Sequence, residues 1–219
     1  MPELKLENVS YRYKKGERDV LSGVTCTFES GYLNMVVGPS GSGKTTLLSI
    51  VAGLDSPKEG KVTIDGDDLS LLDLDRYRRE RVSMIFQAFH LFPLLTVIEN
   101  VCYPMERNGV SKTEARARSA ELLEKVGITA DMHNRYPSNL SGGEQQRVAI
   151  VRALSTGSKV LLADEPTGNL DGANGQRVIE ILRELAYNEG LCVIIVTHNL
   201  GIIQPDDRVF KLSSGVLEK

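Results

Sequence analysis

The chain has 219 residues, of which 41% are hydrophobic, 25% charged and 5% aromatic, the proportions of an ordinary globular protein rather than of a disordered, fibrous or membrane-embedded one. Its 26 Lys and Arg against 29 Asp and Glu leave a formal charge of −3, which argues against a body that holds nucleic acid backbone or anionic lipid by bulk charge. Cys26, Cys102 and Cys192 are odd in number and far apart, so no disulfide framework or zinc site is expected and a reducing compartment is the simplest setting.

Met1-Pro2-Glu3-Leu4-Lys5 has no basic segment leading into an apolar one, and the longest apolar run, Leu191 to Val196, has six residues, so neither a signal peptide nor a membrane span is expected. Leu4, Leu6 and Val9 interleave with charged residues, and Val24-Thr25-Cys26-Thr27-Phe28 alternates again. These read as half-buried strands of an antiparallel lobe, joined through the polar stretch Lys14 to Asp19. Leu33 to Val37 is a short apolar strand that enters a glycine-rich loop, after which Lys44 to Ala52 is a helix stopped by Gly53. A strand returns at Lys61 to Asp65, Arg76 to Arg81 is a charged helix, and Val82 to Phe86 is apolar. From about 90 to 140 strand signals fade, and Lys112 to Val126, with Ala117, Ala120, Leu123 and Val126 among charges, reads as an amphipathic surface helix. Then follow a helix from Gly143 to Leu154, a buried strand Val160 to Ala163, a helix Gly175 to Tyr187 and the buried strand Cys192 to Val196. Strands apolar on both faces that alternate with helices predict an α/β protein with a mostly parallel central sheet.

Gly38-Pro39-Ser40-Gly41-Ser42-Gly43-Lys44-Thr45 fits the phosphate-loop pattern G-x-x-x-x-G-K-[ST], with a strand before it and a helix after it. Its glycines let the backbone close around phosphates, so that amides and the helix N-terminus face the negative charge. Lys44 reaches the β- and γ-phosphates, and the Thr45 hydroxyl suits Mg²⁺. The strand Val160 to Ala163 runs into Asp164 and Glu165, and the carboxyl ends of such strands are where ligands bind in an open α/β sheet. Neighbouring residues on a strand point to opposite faces, so Asp164 is the candidate for Mg²⁺ contact and Glu165 for deprotonating an attacking water.

Leu140-Ser141-Gly142-Gly143-Glu144-Gln145-Gln146-Arg147, taken by itself a helix cap, completes a set with these two motifs that resembles the ATP-binding cassette of ABC transporters over essentially the whole chain. The wording of Asp164 to Asp171, Phe86 to Pro93 and Thr96 to Val101 is most similar to the lipoprotein-release, macrolide-export and antimicrobial-peptide-resistance group. The resemblance implies a phosphate-loop cassette over residues 1–219, with residues 1–88 and 156–219 as catalytic core and β lobe and about 89–155 as an inserted α-helical lobe. It implies ATP and Mg²⁺ as ligands, with Gly38, Pro39, Ser40, Gly41, Ser42, Gly43, Lys44, Thr45 and Thr46 around the phosphates. Tyr13 would stack on adenine, although Tyr11 lies on the same strand face and is its rival. By the same resemblance Gln87, His198, Glu165 and Lys44 are catalytic, and Thr45, Gln87 and Asp164 serve the metal. Ser141, Gly142, Gly143, Glu144 and Asp171 would meet the nucleotide across a head-to-tail homodimer.

The implied function is ATP hydrolysis that powers export, extraction or conformational coupling by a separate or fused membrane subunit. The implied place is the cytoplasmic face of the cell membrane, with no nucleic acid partner. A regulatory scaffold controlling an envelope enzyme, and a soluble cassette acting on nucleic acid, are the alternatives. Phe89, His90, Leu91 and Phe92 crowd together just after Gln87, which marks either local core or the docking point of the membrane subunit. Glu144 stands where glutamine is commoner, Val151 where a small alanine is usual, and Asn199 where the group has aspartate; none of these removes a catalytic group. The transported substrate, and whether Lys219 is a natural end or precedes a fused domain, stay open.

Overall fold

In the computed structural model, which describes residues 3–13 and 19–218, the apolar runs become the middle of one sheet. That sheet has six strands in the order β10-β9-β3-β8-β7-β6. They are β3 (Leu33–Val37), β6 (Val82–Ile85), β7 (Val160–Asp164), β8 (Cys192–Thr197), β9 (Arg208–Ser213) and β10 (Val216–Glu218). All pairs are parallel except β9 with β10. The central strands are buried on both faces because alternate residues feed two different cores. Val193 and Ile195 of β8 face one cluster, and Cys192, Ile194 and Val196 face the other. Each fully buried aliphatic side chain of this kind contributes about 1.5–3 kcal/mol.

The second core is closed from the outside by an antiparallel sheet of order β2-β1-β4-β5. Its strands are β1 (Glu3–Tyr11), β2 (Leu21–Glu29), β4 (Glu59–Ile64) and β5 (Asp67–Asp68). Leu4 and Leu6 pair with Phe28 and Cys26 and turn inward, while the Glu7 carboxylate takes ion pairs from Lys5 and Lys61 on the outer face. Residues 14–18 of the expected connecting stretch lie outside the described residues. Helix α1 (Lys44–Val51) runs from the glycine loop between the two sheets, with Leu47, Leu48, Ile50 and Val51 fully buried.

A short helix α2 (Leu74–Glu80), capped by the Asp73 carboxylate, leads into β6. Between β6 and β7 the chain leaves the sheet and builds α3 (Val97–Arg107), α4 (Lys112–Lys125) and α5 (Gly142–Leu154). Helix α6 (Gly172–Tyr187) returns it to β8. The inward stripe of α4 is Ala115, Ser119 and Leu123 rather than the expected face containing Ala117, which is exposed. Ser119 tolerates that burial because its hydroxyl pairs with the Cys102 thiol at 3.2 Å.

Helix α3 and the β9–β10 hairpin have no counterpart among the expected elements. Pro104 obscures the helical pattern of Val97, Ile98, Val101, Cys102 and Met105, yet it is accommodated three residues from the C-terminal end. The hairpin turns through Ser214 and Gly215, both left-handed at φ 48° and 80°, which suits the twist of two tightly joined strands. The start of α3 carries a capping box between Thr96 and Glu99. Just inside it, fully buried Asn100 donates to the carbonyls of Phe92, Leu95 and Thr96 at 2.9–3.1 Å and accepts from Phe92 N–H at 2.8 Å. One side chain therefore ties the two ends of the Phe92–Thr96 turn together. Replacing it with leucine leaves the Phe92 N–H and the Leu95 carbonyl unpaired, so Asn100→Leu should lower stability by about 2–4 kcal/mol, read as a lower urea midpoint at unchanged slope.

Candidate active site

The register of three adjacent strands assembles the site. Val37 pairs with Thr197, and Asp164 with Val196, so β3, β8 and β7 end side by side and release the glycine loop, His198 and the Asp164–Glu165 pair at one edge. Where β3 becomes the loop, a Cβ on Gly38 would come within 2.1 Å of the Leu212 carbonyl oxygen, so only glycine lets β9 pass. Gly43 takes φ 104°, and the start of α1 has no side-chain cap, which leaves its first N–H groups for an anion. Lys44 is buried, and its ammonium donates to the Gly38 and Pro39 carbonyls at 2.8 and 3.0 Å, curling over the loop it serves.

A cleft of about 700 Å³ opens above this loop. Ser40, Gly41, Gly43, Thr45 and Thr46 form its floor, and Tyr13, Gln87, Asp164, Glu165 and His198 its walls. Tyr13 is half exposed, with its hydroxyl 3.0 Å from that of Thr46. Tyr11 is instead core, its hydroxyl donating to Asp55, and its ring meets that of Tyr13 nearly at right angles. The Thr45 hydroxyl donates to Asp164 at 3.4 Å. Burial pushes the Asp164 carboxyl above its usual range, against the Thr45 bond and the Lys44 charge that pull it down.

Glu165 departs from regular strand backbone, with φ 46°. Its side chain is held at both oxygens: Oε2 accepts from the Thr197 hydroxyl at 2.9 Å, and Oε1 from His198 N–H at 3.0 Å, with His198 Nδ1 2.7 Å away. Thr197 was not among the expected site residues, and its position directly before His198 is the signal that would have found it. Asn169 was missed as well. It exchanges hydrogen bonds with Gln87, whose Nε2 lies 3.3 Å from Asn169 Oδ1 and whose carbonyl accepts from Asn169 Nδ2 at 2.9 Å.

The remaining expected residues lie elsewhere. Ser141 caps α5, sharing a capping box with Glu144, whose carboxyl is lowered chiefly by the Ser141 N–H. Asp171 caps α6 through Asn174 N–H, which lowers its carboxyl in turn. The two helix starts touch, since a Cβ on Gly143 would lie 2.4 Å from Asn174 Oδ1. Neither start lines the cleft of its own chain. Of the expected docking residues, His90 and Phe92 line a separate groove of about 470 Å³ with Phe86, Tyr103 and Arg107. Leu91 packs against the core, and the Phe89 ring lies beside Gly142.

Residues 21–168 match the ABC transporter family. The chain is 44% identical over 221 residues to an uncharacterised ABC transporter ATP-binding protein of Mycobacterium tuberculosis, covering 99% of this chain and 89% of that one. It is also 44% identical over 220 residues to a lipoprotein-releasing system ATP-binding protein of a Ruegeria species, covering 98% and 96%. Among solved structures, a dimeric post-hydrolysis state of an ATP-binding cassette of Methanocaldococcus jannaschii, bound to ADP and phosphate, superposes with a TM-score of 0.87 at 39% identity, covering 99% and 97%.

The raised Asp164 carboxyl makes the stability of the fold depend on pH. A carboxyl whose folded value exceeds its unfolded value favours the fold while protonated and opposes it once both states are ionised. Asp164→Asn, which keeps an acceptor for Thr45, should therefore melt higher than the parent at pH 7. The gain should vanish as pH falls below the ordinary aspartate range, a comparison made by thermal scans across pH.

Proposed function

This chain belongs to the ABC transporter family, and we propose that it is the ATP-hydrolysing subunit of a transporter, acting as a homodimer whose closure on ATP drives a membrane subunit. The observation that carries the reading is Glu165, gripped by Thr197 and His198 beside the phosphate loop. The triphosphate lies along the N–H groups at the start of α1, with Lys44 turning from the loop carbonyls to the β- and γ-phosphates. Tyr13 takes the adenine face.

Glu165 Oε1 accepts the proton of a water aimed at the γ-phosphorus, and His198 holds that carboxylate and the γ-phosphate in place. The Thr45 hydroxyl, the Asp164 carboxylate and the Gln87 side chain are hard oxygen donors, and among the described residues there is no cluster of three His, Cys, Asp or Glu that could hold a metal by itself. That is the donor set of a Mg²⁺ ion held jointly by one carboxylate and the nucleotide's phosphates, where it would offset the charge that develops on their oxygens.

Ser141, Gly142 and Gly143 stand apart from their own cleft, at a helix start where Ser141 is exposed and the dipole suits an anion. We assign them to the γ-phosphate of a second copy, with Asp171 beside them, so ATP joins the two chains and hydrolysis parts them. The groove at His90, Phe92 and Tyr103 is the site we assign to the membrane subunit, with residues 89–155 as the lobe that moves with it. Among the described residues no helix is long and apolar enough to cross a membrane, so on this reading attachment to the inner face runs through that subunit.

Glu165→Gln keeps the shape and removes the base. It should bind ATP, elute as a stable dimer in gel filtration with ATP, and turn over at least about a hundredfold more slowly; near-normal hydrolysis would refute the assignment. Lys44→Ala should lose ATP binding in equilibrium titrations. Ser141→Arg should instead bind ATP as a monomer and fail to dimerise, and loss of monomer binding in that variant would contradict the division of roles.

A further inference from the structure

Phe89 and His90 follow Gln87 directly after Ala88, and both take left-handed backbone, at φ 52° and 50°. Two successive non-glycine residues rarely do so, and such a turn persists only where its surroundings hold it. Here the hold on both carbonyls comes from one helix, while the His90 ring packs on that of Phe86. Near the end of α5 the Arg152 guanidinium donates to the His90 carbonyl at 2.7 Å and the Phe89 carbonyl at 3.3 Å, and it lies over the Phe92 ring, 5.5 Å from the centroid. At the start of α5 the Phe89 ring lies 3.6 Å from where a Cβ on Gly142 would stand. Arg152 has no carboxylate in ion-pair range among the described residues, and burial lowers its guanidinium below the usual value. A half-buried charge without a counter-ion is only partly solvated, so its compensation is the pair of carbonyls it grips.

We propose that Arg152 is a positioning residue that locks the Phe89–His90 turn to α5, so that Gln87 at the ATP cleft and Ser141 at the head of α5 move as one body. The proposal rests on the roles assigned above to Gln87 and Ser141. A flat, two-armed donor is required, since it must satisfy two carbonyls and stack on a ring at once. Lysine carries its donors on one compact ammonium without the flat face that lies on the ring, and methionine has no donor at all. Without the grip the turn relaxes to right-handed or extended backbone and carries Gln87 away from the cleft. The phosphate loop lies on other elements and is not disturbed.

The test compares Arg152→Met, Arg152→Lys and the double variant Arg152→Met/His90→Gly with the parent, by steady-state ATPase and amide hydrogen exchange. Arg152→Met should lower kcat about tenfold while KM for ATP stays within about twofold, and should speed exchange in residues 88–92. Arg152→Lys should fall between the two. Adding His90→Gly should recover several-fold in kcat, because glycine takes the left-handed form without strain. Unchanged kcat and exchange in Arg152→Met would overturn the proposal. So would a joint collapse of kcat, KM and melting temperature that glycine does not relieve, which would make Arg152 ordinary structural support. If the parent itself hydrolysed no ATP the functional reading would fail, while exchange in residues 88–92 would still decide whether Arg152 holds the turn.

Discussion

The parallel pairing of β3 with β8, and of β8 with β7, is the constraint on which the rest of the molecule depends. These strands come from distant parts of the chain, and their ends carry the glycine loop, His198 and the Asp164–Glu165 pair. Parallel neighbours all present their carboxyl ends at one edge, so three separate motifs reach a single cleft without any contact between them in sequence. The register is fixed from both sides, because alternate residues of each strand fill two different cores, and a slip of one residue would exchange them.

At that edge local preference gives way to tertiary demand. Glu165 takes a backbone conformation that a long side chain avoids, at a cost on the order of 1 kcal/mol or more, and three donors from the end of β8 hold it there. The turn after Gln87 repeats the pattern twice over, held by Arg152 and by Asn100 one turn further on. In both places the strained residue lines the cleft or closely follows a residue that does. Strain of this kind makes geometry sensitive to a neighbour's movement, because the alternative backbone lies close in energy.

Charge is organised locally rather than overall. The chain is acidic in sum, yet the cleft presents Lys44 and free helix N–H groups, and the groove around Phe92 is lined by Arg78, Arg79, Arg107 and Arg152. The two surfaces are joined through β6, Gln87 and the Phe89–His90 turn. The β lobe plays a quieter part: β1 ends at Tyr11 and leaves Tyr13 beside Thr46, so its packing sets where a ring can lie over the loop.

Much of this was legible in the amino-acid order. Local rules suffice for a glycine loop between strand and helix, for an apolar strand that ends in two acids, and for Ser141 with Glu144 as a helix start, because each is a short stretch whose spacing carries its own physics. Tyr11 and Tyr13 could not be separated in the same way, since one strand face offers both, and only the neighbouring Asp55 and Thr46 divide them into core and cleft. Helix α3 was hidden by Pro104, and Ser119 entered a buried stripe only because Cys102 stands opposite to satisfy it. Thr197 could have been found from its place before His198, but what it, Asn169 and Arg152 hold was invisible for one reason: each acts on a group far away in sequence, from 32 to 82 residues off. Sequence by itself determined the central strands β3, β7 and β8, the anion loop and the acids, because backbone preference and hydrophobic alternation are local. Only the tertiary structure decided which side chains hold those groups in their working geometry, because hydrogen bonds across the fold depend on where distant segments pack.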